Sequence, residues 1–437
     1  MALDELAQKY GSPMTFYLGA VRAIHINDAK NVKQIISTQG KDFLGRLEPL
    51  IFNNDRIGEG IILASGEPWK SGRRTMLQAM RDFGMGKEKM IDKIDEEIHH
   101  LISDLDSICG QTIELKEMLT VAVSNIIALH VFGKRFEKND PFFVKMVGFM
   151  KEFAELPQMY NVPYMCFPFL TKISRPEFVR LTIDSREHFV NYWRNTSLKE
   201  HMEDFNPENV RDFCDLFLLQ RQKYGVNSID ELSFSAIMGD LFGAGTETST
   251  TTLNWLILMI SKYPEIQRKC QLEIDKIIES DRLAKSSDSP KLVYVNAVIN
   301  ETARFGSIAP LSLFHSNLEK QTKIGDFDVP PFTMIMYNIY SLHHNKDYWK
   351  DPEVFRPERW IDDNGNLLSH SEYFMPFGIG PRICVGELLA KAEIFHFTVA
   401  LLHRFDFKLE TPNIDFENNE CGVINHAPTF AVSIKRR

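Results

Sequence analysis

A single cysteine in a glycine- and proline-punctuated loop constrains this chain more than any other feature. Residues Phe377 to Gly386 read Phe-Gly-Ile-Gly-Pro-Arg-Ile-Cys-Val-Gly. An apolar-faced segment follows at once, with Leu388, Leu389, Ala392, Phe395, Val399 and Leu402 at helical spacing. A cysteine just ahead of a helix has its thiolate favoured by the dipole and by free backbone N–H groups. The same N–H groups can hydrogen-bond the sulfur and tune a metal that it ligates. Gly380 and Gly386 let the backbone approach a flat ligand, and Arg382 can reach an anionic group on it. An arbitrary cysteine in a turn is usually structural. Here the pattern Phe-x-x-Gly-x-Arg-x-Cys-x-Gly fixes several positions at once, which arises by chance on the order of once in ten thousand chains of this length.

The rest of the composition narrows the class. The chain has 437 residues, 44% apolar and 25% charged, which excludes intrinsic disorder and low-complexity fibres. A formal charge of −9 argues against a nucleic-acid partner. The cysteines at 109, 166, 214, 270, 384 and 421 form no CxxC pair and no zinc spacing. No run reaches the ~18 to 20 apolar residues of a spanning helix. The opening MALDELAQKYGSP lacks a basic region followed by an apolar one, so no signal peptide and no integral membrane segment are expected. Helical periodicity covers Glu88 to Cys109, Ile113 to Phe132, Ser233 to Tyr263, Pro264 to Ser280 and Gly386 to Phe405. Strand-like alternation is limited to Met14–Leu18, Thr322–Phe327, Thr333–Ile339 and Val423–Ile434. Polar stretches at Ser280–Ser289 and Asp362–Ser371 read as surface loops. The expected fold is mainly α with small β-sheets (α+β), one large domain over residues 1–437.

The cysteine loop resembles the haem-binding loop of the cytochrome P450 family, whose iron carries an axial cysteine thiolate. Further segments carry the same resemblance in the right order. Gly243-Ala244-Gly245-Thr246-Glu247-Thr248-Ser249 lies within a long helical segment, although two Gly and a Thr/Ser run are poor helix formers. Small residues let a planar cofactor lie flat, and a hydroxyl can back-bond to a carbonyl and open a groove. In the family an acid–alcohol pair here guides protons toward oxygen; Glu247 and Thr248 occupy those positions. Glu301-Thr302-Ala303-Arg304 is an E-x-x-R segment, with Glu and Arg on one helix face. With Arg359 of Phe355-Arg356-Pro357-Glu358-Arg359-Trp360, it matches a structural network of the family. Trp69 and Arg73 match a W-x-x-x-R helix that holds a haem propionate, a role suited to a donor-only indole and a guanidinium fork. Arg46, His315 and Arg382 match further propionate partners, and Phe377, Gly378 and Ala244 match positions against the haem. Arg81 to Lys87 and the opening Leu3 to Gly19 resemble animal microsomal members that metabolise drugs and steroids, without their membrane anchor.

The resemblance implies a haem b enzyme with Cys384 as the axial iron ligand, a thiolate that favours O–O cleavage. It inserts one oxygen atom from O2 into a lipophilic molecule: a steroid, fatty acid, terpenoid or xenobiotic. No G-x-G-x-x-G follows a strand, so electrons are expected from NADPH–cytochrome P450 reductase, with cytochrome b5 a further candidate donor. The reductase is expected on the Cys384 side, with Arg382 and Lys391 as contacts. Substrate contacts are expected between Leu47 and Leu63, along Phe149–Phe169, at Leu241–Thr248 and near Ile308–Leu313, an apolar set. The Phe/Met-rich stretch Leu156–Ile173 reads equally as core or as a bilayer-resting surface. The implied location is the cytosolic face of the endoplasmic reticulum membrane, with a soluble or peripheral monomer as the chain is written. The competing readings are a relative that rearranges peroxides, a non-catalytic haem or lipophile-binding protein, and a truncated inactive isoform. Glu247 and Thr248 argue against the first two.

Overall fold

The computed structural model describes residues 2–46, 60–82, 88–155, 167, 169–170, 173–174, 177–225, 230–279, 282–368, 372–411, 413–416 and 422–437. Helices dominate. The longest, Glu231–Lys262, is capped by the Asp230 side chain, which accepts from Ser233 N–H at 2.7 Å. From Thr246 onward it is buried on nearly every side, so it is a core helix and not an amphipathic surface one. The Lys116–Val131 helix packs along it and is equally apolar all round. A Cβ at Gly245 would lie 2.7 Å from Ile127 Cδ1, so the small residue sets how closely these two helices approach. Pro264 opens the next helix, Pro264–Ile277, at its first turn. The cysteine helix, Glu387–Arg404, completes the core against the long helix and against Glu88–Ser107. Elsewhere in the core Phe132 meets Phe136, Phe142, Phe189 and Tyr192 at centroid distances of 5.6, 5.6, 5.4 and 5.5 Å; each such pair is worth about 0.5–1.5 kcal/mol beyond burial.

The strands are short and peripheral: β1 (Met14–Leu18), β2 (Val21–Ile26), β3 (Thr112–Ile113), β4 (His315–Ser316), β5 (Thr322–Ile324), β6 (Phe327–Val329), β7 (Met334–Tyr337), β8 (Phe405–Leu409) and β9 (Val432–Arg436). One sheet runs β1-β2-β7-β4 and a second β3-β9-β8. The parallel pairing of Ile24 with Ile335 and the antiparallel pairing of His315 with Ile335 bring the N-terminal hairpin and the His315 segment onto one strand.

The expected Met14–Leu18 strand is present as drawn, and the expected helices are present with ends moved by a few residues. Three expectations change. The Thr322–Phe327 strand folds back at Gly325, with φ +58°, into the β5–β6 hairpin. The C-terminal strand begins only at Val432, because Asn425 is engaged elsewhere: it donates to Ile308 O at 2.9 Å and accepts from Trp255 Nε1 at 2.9 Å. In the expected loop at Ser280–Ser289, Asp288 is buried and paired with Arg282 at 2.6 Å.

Candidate active site

The cysteine loop is closed by its own backbone. Cys384 N–H donates to Phe377 O at 3.0 Å, and Gly378 N–H donates to Met375 O at 2.9 Å. Gly378 and Gly380 adopt φ of +75° and +77°, a region that favours glycine. A Cβ at Gly378 would stand 2.7 Å from Tyr337 Oη, and one at Gly380 would overlap the Ile36 carbonyl. Cys384 is exposed, yet surrounding atoms desolvate it enough to raise its thiol pKa, against the opposing pull of Gly386 and Glu387 N–H groups and Arg73. It therefore lines a recess within the body. The helix-dipole expectation of an acidic thiol is not met by these protein groups alone, because desolvation outweighs the N–H donors.

Five residues singled out from the sequence converge beside this loop. Arg46 donates to Phe314 O at 2.6 Å, Leu313 O at 3.3 Å and Ile62 O at 3.1 Å. Arg382 donates to Leu44 O at 3.0 Å and Ala64 O at 2.7 Å, and its guanidinium lies 3.9 Å over the Trp69 ring. Arg73 donates to Ile383 O at 2.6 Å, and His315 Nδ1 meets Phe43 O at 3.0 Å. Burial, then the neighbouring Arg46 and Arg73, lowers Arg382 to about 8. Burial lowers Arg46 to about 10, and burial with Arg46 lowers His315 to about 3. These guanidinium hydrogen bonds all end on carbonyl oxygens; none ends on a carboxylate. Arg382 thus turns inward, so it is not the surface docking contact expected from the sequence.

The long helix supplies another wall. Ala244 is exposed although it lies on a core helix, and a Cβ at Gly243 would meet nothing within 4 Å. Thr248 Oγ1 donates to Ala244 O at 2.8 Å, and Thr252 Oγ1 to Thr248 O at 2.8 Å. The helix nonetheless stays continuous through this back-bonding. Burial raises the Glu247 carboxyl, whose Oε1 lies 3.5 Å from His426 Nδ1. Ser249 Oγ donates to Glu393 Oε2 at 2.7 Å, joining the long helix to the cysteine helix.

Glu301, Arg304 and Arg359 also come together. Arg304 donates to both Glu301 oxygens at 2.8 Å and to the His343 and Pro352 carbonyls at 2.8 and 3.0 Å. Arg359 Nε donates to Glu301 Oε1 at 3.0 Å. The sequence motif assigns no role to Trp360, whose Nε1 donates to Glu301 Oε2 at 3.0 Å, or to Arg356 N–H, which donates to Oε1 at 2.9 Å. It also omitted Asp240, which accepts from Ile61 and Ile62 N–H at 2.7 and 2.9 Å and ties that segment to the long helix. A carboxylate on an otherwise apolar stretch was the available signal. Glu393 and His426 carried no such signal. Expected contacts within residues 47–59 and 156–166, and most of the resembling stretch Arg81–Lys87, lie outside the described residues.

Among the described residues, partly buried guanidiniums held by carbonyls gather beside a recessed cysteine, and the long helix adds an open alanine as a further wall. The Cytochrome P450 family model matches residues 1–434. The chain is 34% identical to mouse cytochrome P450 2J5 over 93% of this chain and 81% of that protein. It is 32% identical to rat cytochrome P450 2C23 over 100% of this chain and 89% of that protein. It is 36% identical to cytochrome P450 2K1 of Oncorhynchus mykiss over 93% of this chain and 80% of that protein. The chain belongs to the cytochrome P450 family and is a haem-dependent monooxygenase. The residues fit haem: its two propionates would supply anions that Arg46, Arg73 and Arg382 do not meet among the described residues, and Ala244 and Gly243 leave open space on the long helix.

Proposed function

We propose that this chain oxygenates a lipophilic small molecule (a steroid, fatty acid, terpenoid or xenobiotic) with electrons from NADPH–cytochrome P450 reductase. The balance is one substrate, one O2, two electrons and two protons in, one alcohol and one water out. Residues 1–437 act as one monomeric haem domain at the cytosolic face of the endoplasmic reticulum. The observation that carries this reading is the three carbonyl-held guanidiniums gathered beside a recessed cysteine.

When bound, haem supplies the oxygen-activating redox chemistry, tuned by a thiolate ligand. Cys384 would ligate the haem iron in this reading, with Phe377 and Gly378 holding its loop. Arg46, Trp69, Arg73, His315 and Arg382 would hold the propionates. Ala244 would leave room for the ring, while Glu247 and Thr248 would hold and pass protons along the long helix. Glu301, Arg304 and Arg359 fix the segment around Trp360 by their shared ion pairs. A hollow of about 340 Å³ lined by Lys70, Arg74, Leu77 and Arg81 offers positive charge and an apolar spot on an acidic protein, which suits an acidic reductase. Among the described residues no helix is long and apolar enough to cross a membrane.

The test is the carbon monoxide difference spectrum of the dithionite-reduced protein. The wild type is expected to show the red-shifted Soret band of thiolate ligation, and Cys384→Ala to lose it. Thiolate ligation retained in Cys384→Ala would remove the cysteine from its assigned place.

A further inference from the structure

The acid of the oxygen-side helix has a neighbour that the sequence motifs did not contain. Asn425 is buried and held at three points. Its N–H donates to Ile308 O at 2.9 Å, its Nδ2 to Gly306 O at 2.6 Å, and its carbonyl accepts from Trp255 Nε1 at 2.9 Å. This clamp presents the next residue, His426, to the long helix. His426 Nδ1 lies 3.3 Å from Thr251 Oγ1 and 3.5 Å from Glu247 Oε1. Glu247 and Thr251 are one turn apart, so they share a face, and Glu247 precedes Thr248 in the chain. The imidazole and the carboxyl keep 18% and 20% of their side-chain exposure, so the pair is neither sealed in the core nor free at the surface.

We propose that His426 is the relay that reloads Glu247 with protons, so that the proton supply of this chain runs from solvent through His426 to Glu247 and on to Thr248. This rests on the monooxygenase reading above. Each productive turnover consumes two protons, and the relay moves one at a time. Glu247 gives up its carboxyl proton on the Thr248 side and becomes a carboxylate. His426 takes a proton from solvent and becomes an imidazolium beside that carboxylate. It returns to neutral by passing its Nδ1 proton to Glu247 Oε1. No electron moves through the pair.

The surroundings suit this cycle. Burial raises Glu247, while Lys116 and the hydrogen bond from Thr251 oppose the rise. Burial, then Lys116, lowers His426 to about 4. Burial thus biases the carboxyl toward its protonated form and the imidazole toward its neutral one. Lys116, at the start of the Lys116–Val131 helix, is the cation facing both; Thr251 faces them from the long helix. The Lys116 charge favours the carboxylate once the proton has left and discourages a lasting imidazolium, so the proton is handed on and not stored.

Two measurements decide it. The first uses the diamagnetic ferrous–carbon monoxide holoprotein and follows the histidine nitrogens by NMR against pH, with His426→Phe to assign the signal. The wild-type His426 nitrogens are expected to show, above their own protonation, a second step as the Glu247 carboxyl beside them ionises, and Glu247→Gln is expected to remove that step. No such step, or one that survives Glu247→Gln, overturns the proposal. The second supplies reductase, NADPH and O2 alone and measures hydrogen peroxide per NADPH consumed. Peroxide takes two electrons and two protons per O2, whereas full reduction to water takes four of each, so starved proton delivery raises the peroxide share. His426→Phe and His426→Gln are both expected to raise it several-fold, with no further rise when either is combined with Glu247→Gln. If His426→Gln keeps the wild-type share, the residue acts by shape and hydrogen bonding alone and the relay is refuted. A holoprotein that consumes no NADPH would count against the monooxygenase reading, while the NMR arm would still decide the coupling of the pair.

Discussion

Removing the Glu301 carboxylate should be among the most damaging single changes in the molecule. Glu301 and Arg304 are both fully buried. The carboxylate accepts from Arg304 Nε and Nη2, Arg359 Nε, Trp360 Nε1 and Arg356 N–H. In Glu301→Ala two guanidiniums stay buried without the anion between them. Breaking a buried pair in this way costs about 3–5 kcal/mol, a large part of the ~5–15 kcal/mol that holds a typical domain together. Unfolding entropy near 2.1 cal/mol/K per residue, over a chain of this size, makes each kcal/mol worth about 1 °C. The expected fall in melting temperature is thus about 3–5 °C, with a matching fall in the urea midpoint and in retained haem. Arg359→Met keeps the Glu301–Arg304 pair and should cost less, about 1–3 kcal/mol. The assay is urea unfolding of the holoprotein, followed by tryptophan fluorescence and by the Soret band. A Glu301→Ala protein within 1 kcal/mol of wild type would refute the claim that this carboxylate balances buried charge.

Two further outcomes concern pH. Burial pushes the Glu393 carboxyl up to about 8 from an ordinary value of 4.5. Between those values the native state holds a proton that the unfolded chain has released, so stability falls as pH rises across that window. Glu393→Gln keeps the shape without the proton and should flatten this part of the curve, read as melting temperature at pH 5 and pH 8; an unchanged slope would count against a protonated Glu393. Elsewhere, burial works to lower His201, but the hydrogen bond and charge of Asp212, 2.8 Å away, outweigh it and hold the imidazole above 6.5. That stabilisation is complete below about pH 6.5 and is lost as pH rises through the raised value. Asp212→Asn should therefore cost more melting temperature at pH 6 than at pH 9; equal losses at both would leave Asp212 only its cap on the Phe213–Tyr224 helix, where it accepts from Asp215 N–H at 3.0 Å.

Much of the site was legible because its chemistry is local in sequence. The Gly378, Gly380 and Cys384 loop needs backbone angles and a spacing that short motifs record directly. Glu301 and Arg304 sit one turn apart, so a helix is enough to bring them together. Arg359 was visible only through the resemblance, since its contact with Glu301 spans 58 residues. Asp240, Glu393 and His426 were missed for a related reason. Each meets its partner across a tertiary contact, and neither a carboxylate on a helix nor a histidine before a strand shows which wall it will face. Secondary structure failed in the same places. Val423–Ile434 alternates like a strand, but the demand of Trp255 and Ile308 for the backbone of Asn425 takes its first half out of the sheet.

The contrast between the two buried arginine clusters carries the strongest argument about the cofactor. Around Glu301 the chain supplies its own anion, and Arg304 and Arg359 each pair with it. Around Arg46, Arg73 and Arg382 the described residues supply carbonyl dipoles, while burial depresses all three guanidiniums, with Arg73 adding to it at Arg46 and with Arg46 and Arg73 both adding to it at Arg382. Guanidinium does not give up its proton in proteins, so the depression measures a destabilisation that the folded chain carries. A protein of net charge −9 has carboxylates enough to neutralise that cluster, yet among the described residues none is hydrogen-bonded to it. Two carboxylates arriving on a ligand would relieve the strain in one step, and the binding energy would include the repulsion removed as well as the hydrogen bonds made. Haem retention should therefore depend on all three arginines together. Losing one relaxes the repulsion on the other two, so the effects of single substitutions should not add.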